Sequence, residues 1–206
     1  RLTQYAYDAN GNRTEEKRFL SFQNAESAKG SIHTLTFDYD KQNRLVRVSD
    51  GLGAVVRYEY DGLNRRTRET RVLSEGLTQR LDYNYDPAGR LIEVEQSADQ
   101  EGCGSNFVST RYEYDRNGNV THILLPAGGE ILREYDAANR LTAETHREEA
   151  SGIHNRTEFG YDAAGNLTEI TDNQGHKTRI AYDLLNREIR RIERDGGVQR
   201  TIYDRN

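Results

Sequence analysis

The residues of this chain best placed to do chemistry are aspartates, and they recur in a fixed setting. Each stands directly after a tyrosine, with Gly or Asn three residues further on and Asn or Arg after that, as in "YDAAGN" at Tyr161–Asn166. A carboxylate with asparagine two residues on, as in "DANGN" (Asp8–Asn12) and "DRNGN" (Asp115–Asn119), resembles the opening of a calcium loop. A calcium loop needs its glycine sixth, and here it arrives fourth. Other reactive residues are sparse. His33, His122, His146, His154 and His176 are scattered with no helical pair, so they lack the spacing of metal ligands or a general base and are expected on surface loops. Cys103, in the insertion "EGCGS", has no neighbouring motif that would activate a thiolate and is expected to be a free thiol. Asn12, Asn119, Asn155 and Asn166 begin Asn-x-Thr sequons, three of them by-products of the recurring motif. No phosphate loop, nucleophile elbow or carboxylate pair stands out, so no catalytic residue, cofactor or metal is expected.

The aspartates make better sense as turn residues. The tyrosines of the motif are Tyr7, Tyr39, Tyr60, Tyr85, Tyr114, Tyr135, Tyr161, Tyr182 and Tyr203. Their aspartates are Asp8, Asp40, Asp61, Asp86, Asp115, Asp136, Asp162, Asp183 and Asp204. Four residues after the first eight tyrosines come Gly11, Asn43, Asn64, Gly89, Gly118, Asn139, Gly165 and Asn186. Gly and Asn enter the left-handed helical region at least cost. Asp at the head of a turn can bond its own backbone two residues on, and Pro87 suits the second position of a type I turn. Asp-x-x-Gly/Asn therefore predicts a type I turn closed by a left-handed bulge residue, a common hairpin connection.

These turns require strands on both sides. Upstream, "RYEYD" (Arg57–Asp61, Arg111–Asp115) and "LDYNYD" (Leu81–Asp86) alternate apolar with polar residues, the period-two pattern of a strand with one apolar face. Downstream, "LVRV" (Leu45–Val48), "LIEVE" (Leu91–Glu95) and "LTEIT" (Leu167–Thr171) open a second strand, and a second turn follows, as in "DNQG" (Asp172–Gly175). Successive motif tyrosines lie 32, 21, 25, 29, 21, 26, 21 and 21 residues apart. The unit is 21 residues, two short strands and two turns, with insertions confined to the second turn. Residues 1–206 are thus expected to form one repeat array of about 17 antiparallel strands, with eight complete copies and a truncated ninth. The opening on Arg1 and the close at "YDRN" suggest a piece of a longer protein.

Composition agrees. Leu, Ile, Val and Phe total 41 of 206 residues, at the border of the disordered class. All 13 tyrosines belong to the motif or lie two residues before it, so tyrosine is the expected source of packing. A net charge of −5 with interspersed signs gives no basic stripe for nucleic acid. No apolar run approaches a membrane span and nothing resembles a signal peptide.

At "RYEYDRNGNVT" (Arg111–Thr121) and "YDAANRLT" (Tyr135–Thr142) the sequence resembles the rearrangement-hotspot (RHS), or YD-repeat, family. The family includes bacterial RHS toxins, the B and C components of Tc toxin complexes, wall-associated bacterial proteins and, more remotely, teneurins. The resemblance implies an all-β fold, an antiparallel meander of repeated hairpins forming an arc of a spiral β-shell. It implies a structural role, enclosing and protecting a C-terminal effector, in a secreted or cell-surface bacterial protein. The implied partners are the rest of the shell and a toxin domain absent from this chain. The family's self-cleaving core is not carried over, because "DPAGRL" (Asp86–Leu91) is an ordinary member of the series, followed by further copies. A surface module binding carbohydrate through exposed tyrosines is the alternative.

Overall fold

A computed structural model describes residues 2–19, 32–74, 77–100, 103–148 and 152–204. Among these the protein is all-β, with seventeen strands and no helix. Two compact units divide the chain, Arg1–Ser109 and Thr110–Asn206.

The first unit contains β1 (Leu2–Tyr7), β2 (Arg13–Phe19), β3 (Ile32–Tyr39), β4 (Leu45–Asp50), β5 (Val55–Tyr60), β6 (Arg66–Ser74), β7 (Leu77–Tyr85) and β8 (Leu91–Gln100). Each pairs antiparallel with the next in sequence. Strand β9 (Cys103–Tyr114) supplies its Arg111–Tyr114 end to the second unit. There it is followed by β10 (Val120–Leu124), β11 (Glu130–Tyr135), β12 (Leu141–Glu148), β13 (Ile153–Tyr161), β14 (Leu167–Thr171), β15 (Lys177–Tyr182), β16 (Glu188–Ile192) and β17 (Val198–Arg200). These too pair in chain order. Every odd-numbered strand from β1 to β15 ends on a motif tyrosine. The last differs, since β17 stops three residues short of Tyr203.

Register explains which residues pack. The aromatic two residues before the motif tyrosine lies opposite the residue nine after it, giving Phe37↔Val48, Tyr83↔Val94, Tyr112↔Ile123 and Phe159↔Ile170. Aromatic against branched aliphatic is a favourable cross-strand pair, each contributing roughly 0.2–1 kcal/mol. The motif tyrosines face Leu45, Leu91, Val120, Leu141 and Leu167 directly. In three hairpins the facing residue is instead Arg13, Arg66 or Glu188. Few side chains among the described residues are buried; Phe37, Ala143 and Ile180 are the apolar ones.

The apolar face also holds charge. Glu16 and Glu69, each only 4% exposed, lie opposite Tyr5 and Tyr58 at the site filled elsewhere by Val or Ile. Each carboxylate is held between two arginines, Glu16 by Arg13 (2.9 Å) and Arg18 (2.5 Å), Glu69 by Arg66 (3.1 Å) and Arg71 (2.6 Å). Arg13 stacks on Phe37 and Arg66 on Tyr58. Burying a charge is tolerated when it is paired in this way. Burial, followed by the nearby Glu69 charge, raises the pKa of both Tyr58 and Tyr83.

The insertions behave differently from the loops expected of them. Most of "SADQEGCGSN" (Ser97–Asn106) is strand, because β8 runs to Gln100 and β9 begins at Cys103. The extra residues continue the backbone ladder, which satisfies their N–H and C=O groups better than a loop would. Likewise β12 and β13 extend across much of the Arg147–Asn155 insertion. The first insertion, Asn24–Ser31, lies outside the described residues.

Candidate functional site

The recurring constellation is the row of Tyr-Asp turns. All eight complete copies share one geometry. The residue four after the tyrosine has positive φ, from 59° and 60° at Asn43 and Asn139 to 91° at Gly118 and Gly165. Its N–H donates to the Asp carbonyl, and the Asp N–H donates to the carbonyl one residue beyond, as in Gly11 to Asp8 (3.1 Å) and Asp8 to Asn12 (2.9 Å). This is a type I turn with a left-handed bulge residue. The second turns at Asp50–Ala54, Leu125–Gly129, Asp172–His176 and Glu193–Gly197 repeat the same bond pattern.

The aspartate does more than open the turn. In Asp40, Oδ1 accepts the N–H groups of Gln42 (2.9 Å) and Arg44 (3.0 Å) while Oδ2 accepts Arg44 Nε (2.7 Å). Arg65, Arg90, Arg140 and Arg187 bond Asp61, Asp86, Asp136 and Asp183 through Nε in the same way. Where Asn replaces Arg, its Nδ2 does so, as Asn12 to Asp8 (2.9 Å). These bonds hold the carboxyls below the usual range. The backbone N–H of the Arg is the main cause at Asp61, Asp86, Asp136 and Asp183. The Asn side-chain amide is the main cause at Asp8, Asp115 and Asp162. At Asp40 burial opposes the shift most strongly, but the Arg44 bonds outweigh it.

Most of the motif tyrosines tie their hairpin to the preceding one. Tyr39 Oη donates to the Arg13 carbonyl (3.0 Å), Tyr60 to Leu45 (2.8 Å), Tyr85 to Arg66 (2.8 Å) and Tyr135 to Val120 (3.0 Å). Tyr161, Tyr182 and Tyr203 reach Leu141, Leu167 and Glu188. The acceptor is always the first residue of the post-turn strand. Just beyond it the register skips one residue, Thr14, Val46, Thr67, Thr121, Thr142 or Thr168 in these hairpins and Ile189 in the last. Such a β-bulge leaves one residue out of the ladder. Arginine adds a second tie, with Arg44, Arg65, Arg140 and Arg187 stacking over Tyr60, Tyr85, Tyr161 and Tyr203 at 4.3–4.8 Å from the ring centroid.

The tyrosines from Tyr39 to Tyr182 are each more covered than exposed, in keeping with the packing role that the sequence assigns them. Tyr7, on the first strand, is 61% exposed and Tyr203 39%.

A family model described as teneurin YD-shell matches residues 65–206, and one described as RHS repeat matches residues 39–76. The chain belongs to the teneurin YD-shell family. The tRNA nuclease WapA of Bacillus subtilis strain 168 is 29% identical over 112 residues, 54% of this YD-shell chain and 4% of that protein. The tRNA3(Ser)-specific nuclease WapA of Bacillus spizizenii matches to the same extent. Among solved structures, the TcdB2-TccC3 complex without its hypervariable C-terminal region aligns with TM-score 0.54 and 20% identity, over 91% of this chain and 12% of that one. The Photorhabdus luminescens Tc holotoxin pore gives TM-score 0.52 at 18% identity, over 91% and 12%. The YD-shell chain thus spans a small part of each relative.

The remaining candidates do not converge. His33, His122, His146 and His154 lie in strands rather than loops. His122 meets Glu130 (2.7 Å), His146 meets Glu144 (2.7 Å) and His176 meets Asp172 (3.1 Å), each pairing within the polar pattern of its own hairpins. No group of three His, Cys, Asp or Glu side chains among the described residues is arranged to hold a metal. The sequon residues Asn12, Asn119 and Asn166 have their amide nitrogens bonded to Asp8, Asp115 and Asp162. No helix among the described residues is long and apolar enough to cross a membrane. Sequence reasoning left the Arg or Asn five after the tyrosine out of the site. Its restriction to two residue types in every complete copy was the available signal.

Proposed function

We propose that this chain is a wall segment of a YD-repeat shell that encloses and protects an effector domain before delivery. The observation carrying the reading is how completely the turn rim within each unit is tied together. Asp carboxylates, the Arg or Asn side chains and the tyrosine hydroxyls are used to hold one hairpin or to join it to its neighbour. A surface built to bind sugar would leave such groups free for ligand, so the carbohydrate-binding reading is the less favoured. WapA nucleases and the Tc holotoxin differ in what their names describe yet share this repeat, as expected of a common housing for different effectors. The setting fits a protein working outside the cell, and the chain itself is expected to be no enzyme.

The test is limited proteolysis of the full-length protein, with the activity of its downstream domain measured in parallel. A domain that stays protease-resistant and inactive until denaturant opens the repeats supports the proposal. A downstream domain cleaved and active at once in the intact protein overturns it, and saturable binding of this chain to an oligosaccharide would put the alternative first.

A further inference from the structure

Two fasteners join neighbouring turns, and the choice between them follows the sequence. Where Asn stands five after the tyrosine, its Nδ2 reaches the side-chain oxygen of the Asn four after the next tyrosine. Asn12 donates to Asn43 (2.9 Å), Asn119 to Asn139 (2.8 Å) and Asn166 to Asn186 (2.9 Å). In two of these junctions a further turn residue, Asn10 or Asn117, donates to the same oxygen at 3.0 Å. Where Arg stands there, its Nη1 reaches the backbone carbonyl of the next aspartate, as Arg44 to Asp61 (3.1 Å) and Arg140 to Asp162 (3.2 Å).

The difference in reach has a consequence. The short amide needs a side chain projecting from the next turn, and glycine has none. The longer guanidinium finds a backbone carbonyl whatever residue follows. In sequence, Asn at the first position is followed by Asn at the second in all three cases. Gly at the second position follows Arg at Arg65–Gly89, Arg90–Gly118 and Arg140–Gly165. Arg44 precedes Asn64 and uses both acceptors, bonding its side-chain oxygen at 2.9 Å. A Cβ built on Gly89 would lie 3.6 Å from Arg65 Nη1, an ordinary contact, so an arginine junction leaves room for either Gly or Asn.

We infer that these two positions form a pairing code deciding which repeat can stand beside which: Asn demands Asn, whereas Arg accepts Asn or Gly. The code is independent of whether the shell holds an effector.

Amide hydrogen exchange on this chain tests it. Asn139→Gly removes the acceptor of Asn119 and should speed exchange of the Asn139-turn amides about three- to tenfold, the size expected of one partly exposed hydrogen bond. Backbone preference alone predicts the opposite sign, because glycine is at ease at the 60° φ of this position. Asn119→Arg combined with Asn139→Gly recreates the arginine fastener and should return exchange to within about twofold of the parent. Asn64→Gly, beside Arg44, should stay within about twofold as well. No acceleration in Asn139→Gly, no recovery in the double variant, or equal acceleration in Asn64→Gly overturns the code.

Discussion

Replacing Tyr135 by Phe isolates the tie between hairpins. The hydroxyl donates to the Val120 carbonyl at 3.0 Å, and the ring is half-buried against Leu141, directly opposite. Removing the hydroxyl leaves a partly buried carbonyl without this donor, which costs about 1 kcal/mol. Truncation to Ala also removes ring contact. About 120 Å² of covered ring at about 25 cal/mol per Å² is worth about 3 kcal/mol, so Tyr135→Ala should cost about 4 kcal/mol in all. The assay is urea unfolding combined with hydrogen exchange, because repeat arrays can unfold in parts. Exchange should quicken in β10 and in both hairpins flanking Tyr135. Tyr7→Phe is the internal control, since Tyr7 is exposed and its hydroxyl has no hydrogen-bond partner among the described residues. If Tyr135→Phe and Tyr7→Phe change stability equally, the hydroxyl tie contributes nothing and the reasoning fails.

Three other outcomes follow from the geometry. Gly165→Val should cost more than about 1 kcal/mol through backbone strain alone, because φ is 91° and a Cβ there meets nothing within 4 Å; unchanged urea stability would contradict this. The turn aspartates have lowered pKa values, so their contribution is complete above the unfolded value of about 3.9. It is lost as pH falls below that through the lower folded values, and a stability flat from pH 5 to pH 2 would refute it. Glu69→Val places at a buried site the residue that Val48 and Val94 already supply, and should stay within about 1 kcal/mol of the parent; Glu69→Ala, which leaves a void under Tyr58, should be distinctly less stable in the same measurement.

Much of this fold was legible in the chain itself. Period-two alternation before Tyr60 and Tyr114 marked strands, and Gly or Asn four residues later marked the left-handed turn residue, because few other residues tolerate that conformation. What escaped notice was contact at a distance. A tyrosine hydroxyl bonded to the backbone of the preceding strand, 15 or more residues back, leaves no mark on side-chain pattern, and neither does the bulge beside its acceptor. The runs around Glu16 and Glu69 look like solvated charge, since alternation alone does not say that arginines on both sides accompany a carboxylate onto the apolar face. The insertions looked like loops because they interrupt the 21-residue unit at its second turn, yet backbone pairing carried the ladder outward through β8 and β9.

The direction of the tyrosine bond bears on how the array is built. Each hydroxyl reaches backwards, to a carbonyl 15 to 26 residues earlier in the chain. During synthesis the acceptor is therefore finished before its donor emerges. A hairpin leaving the ribosome meets a ready edge, a waiting carbonyl and, where the preceding turn carries Arg, a guanidinium poised to cover its ring. Growth can proceed by local addition from the N-terminal end, with short-range closure at every step and no need for distant strands to find each other. For a wall made of many hairpins, this removes the slow search that usually burdens large β-structures.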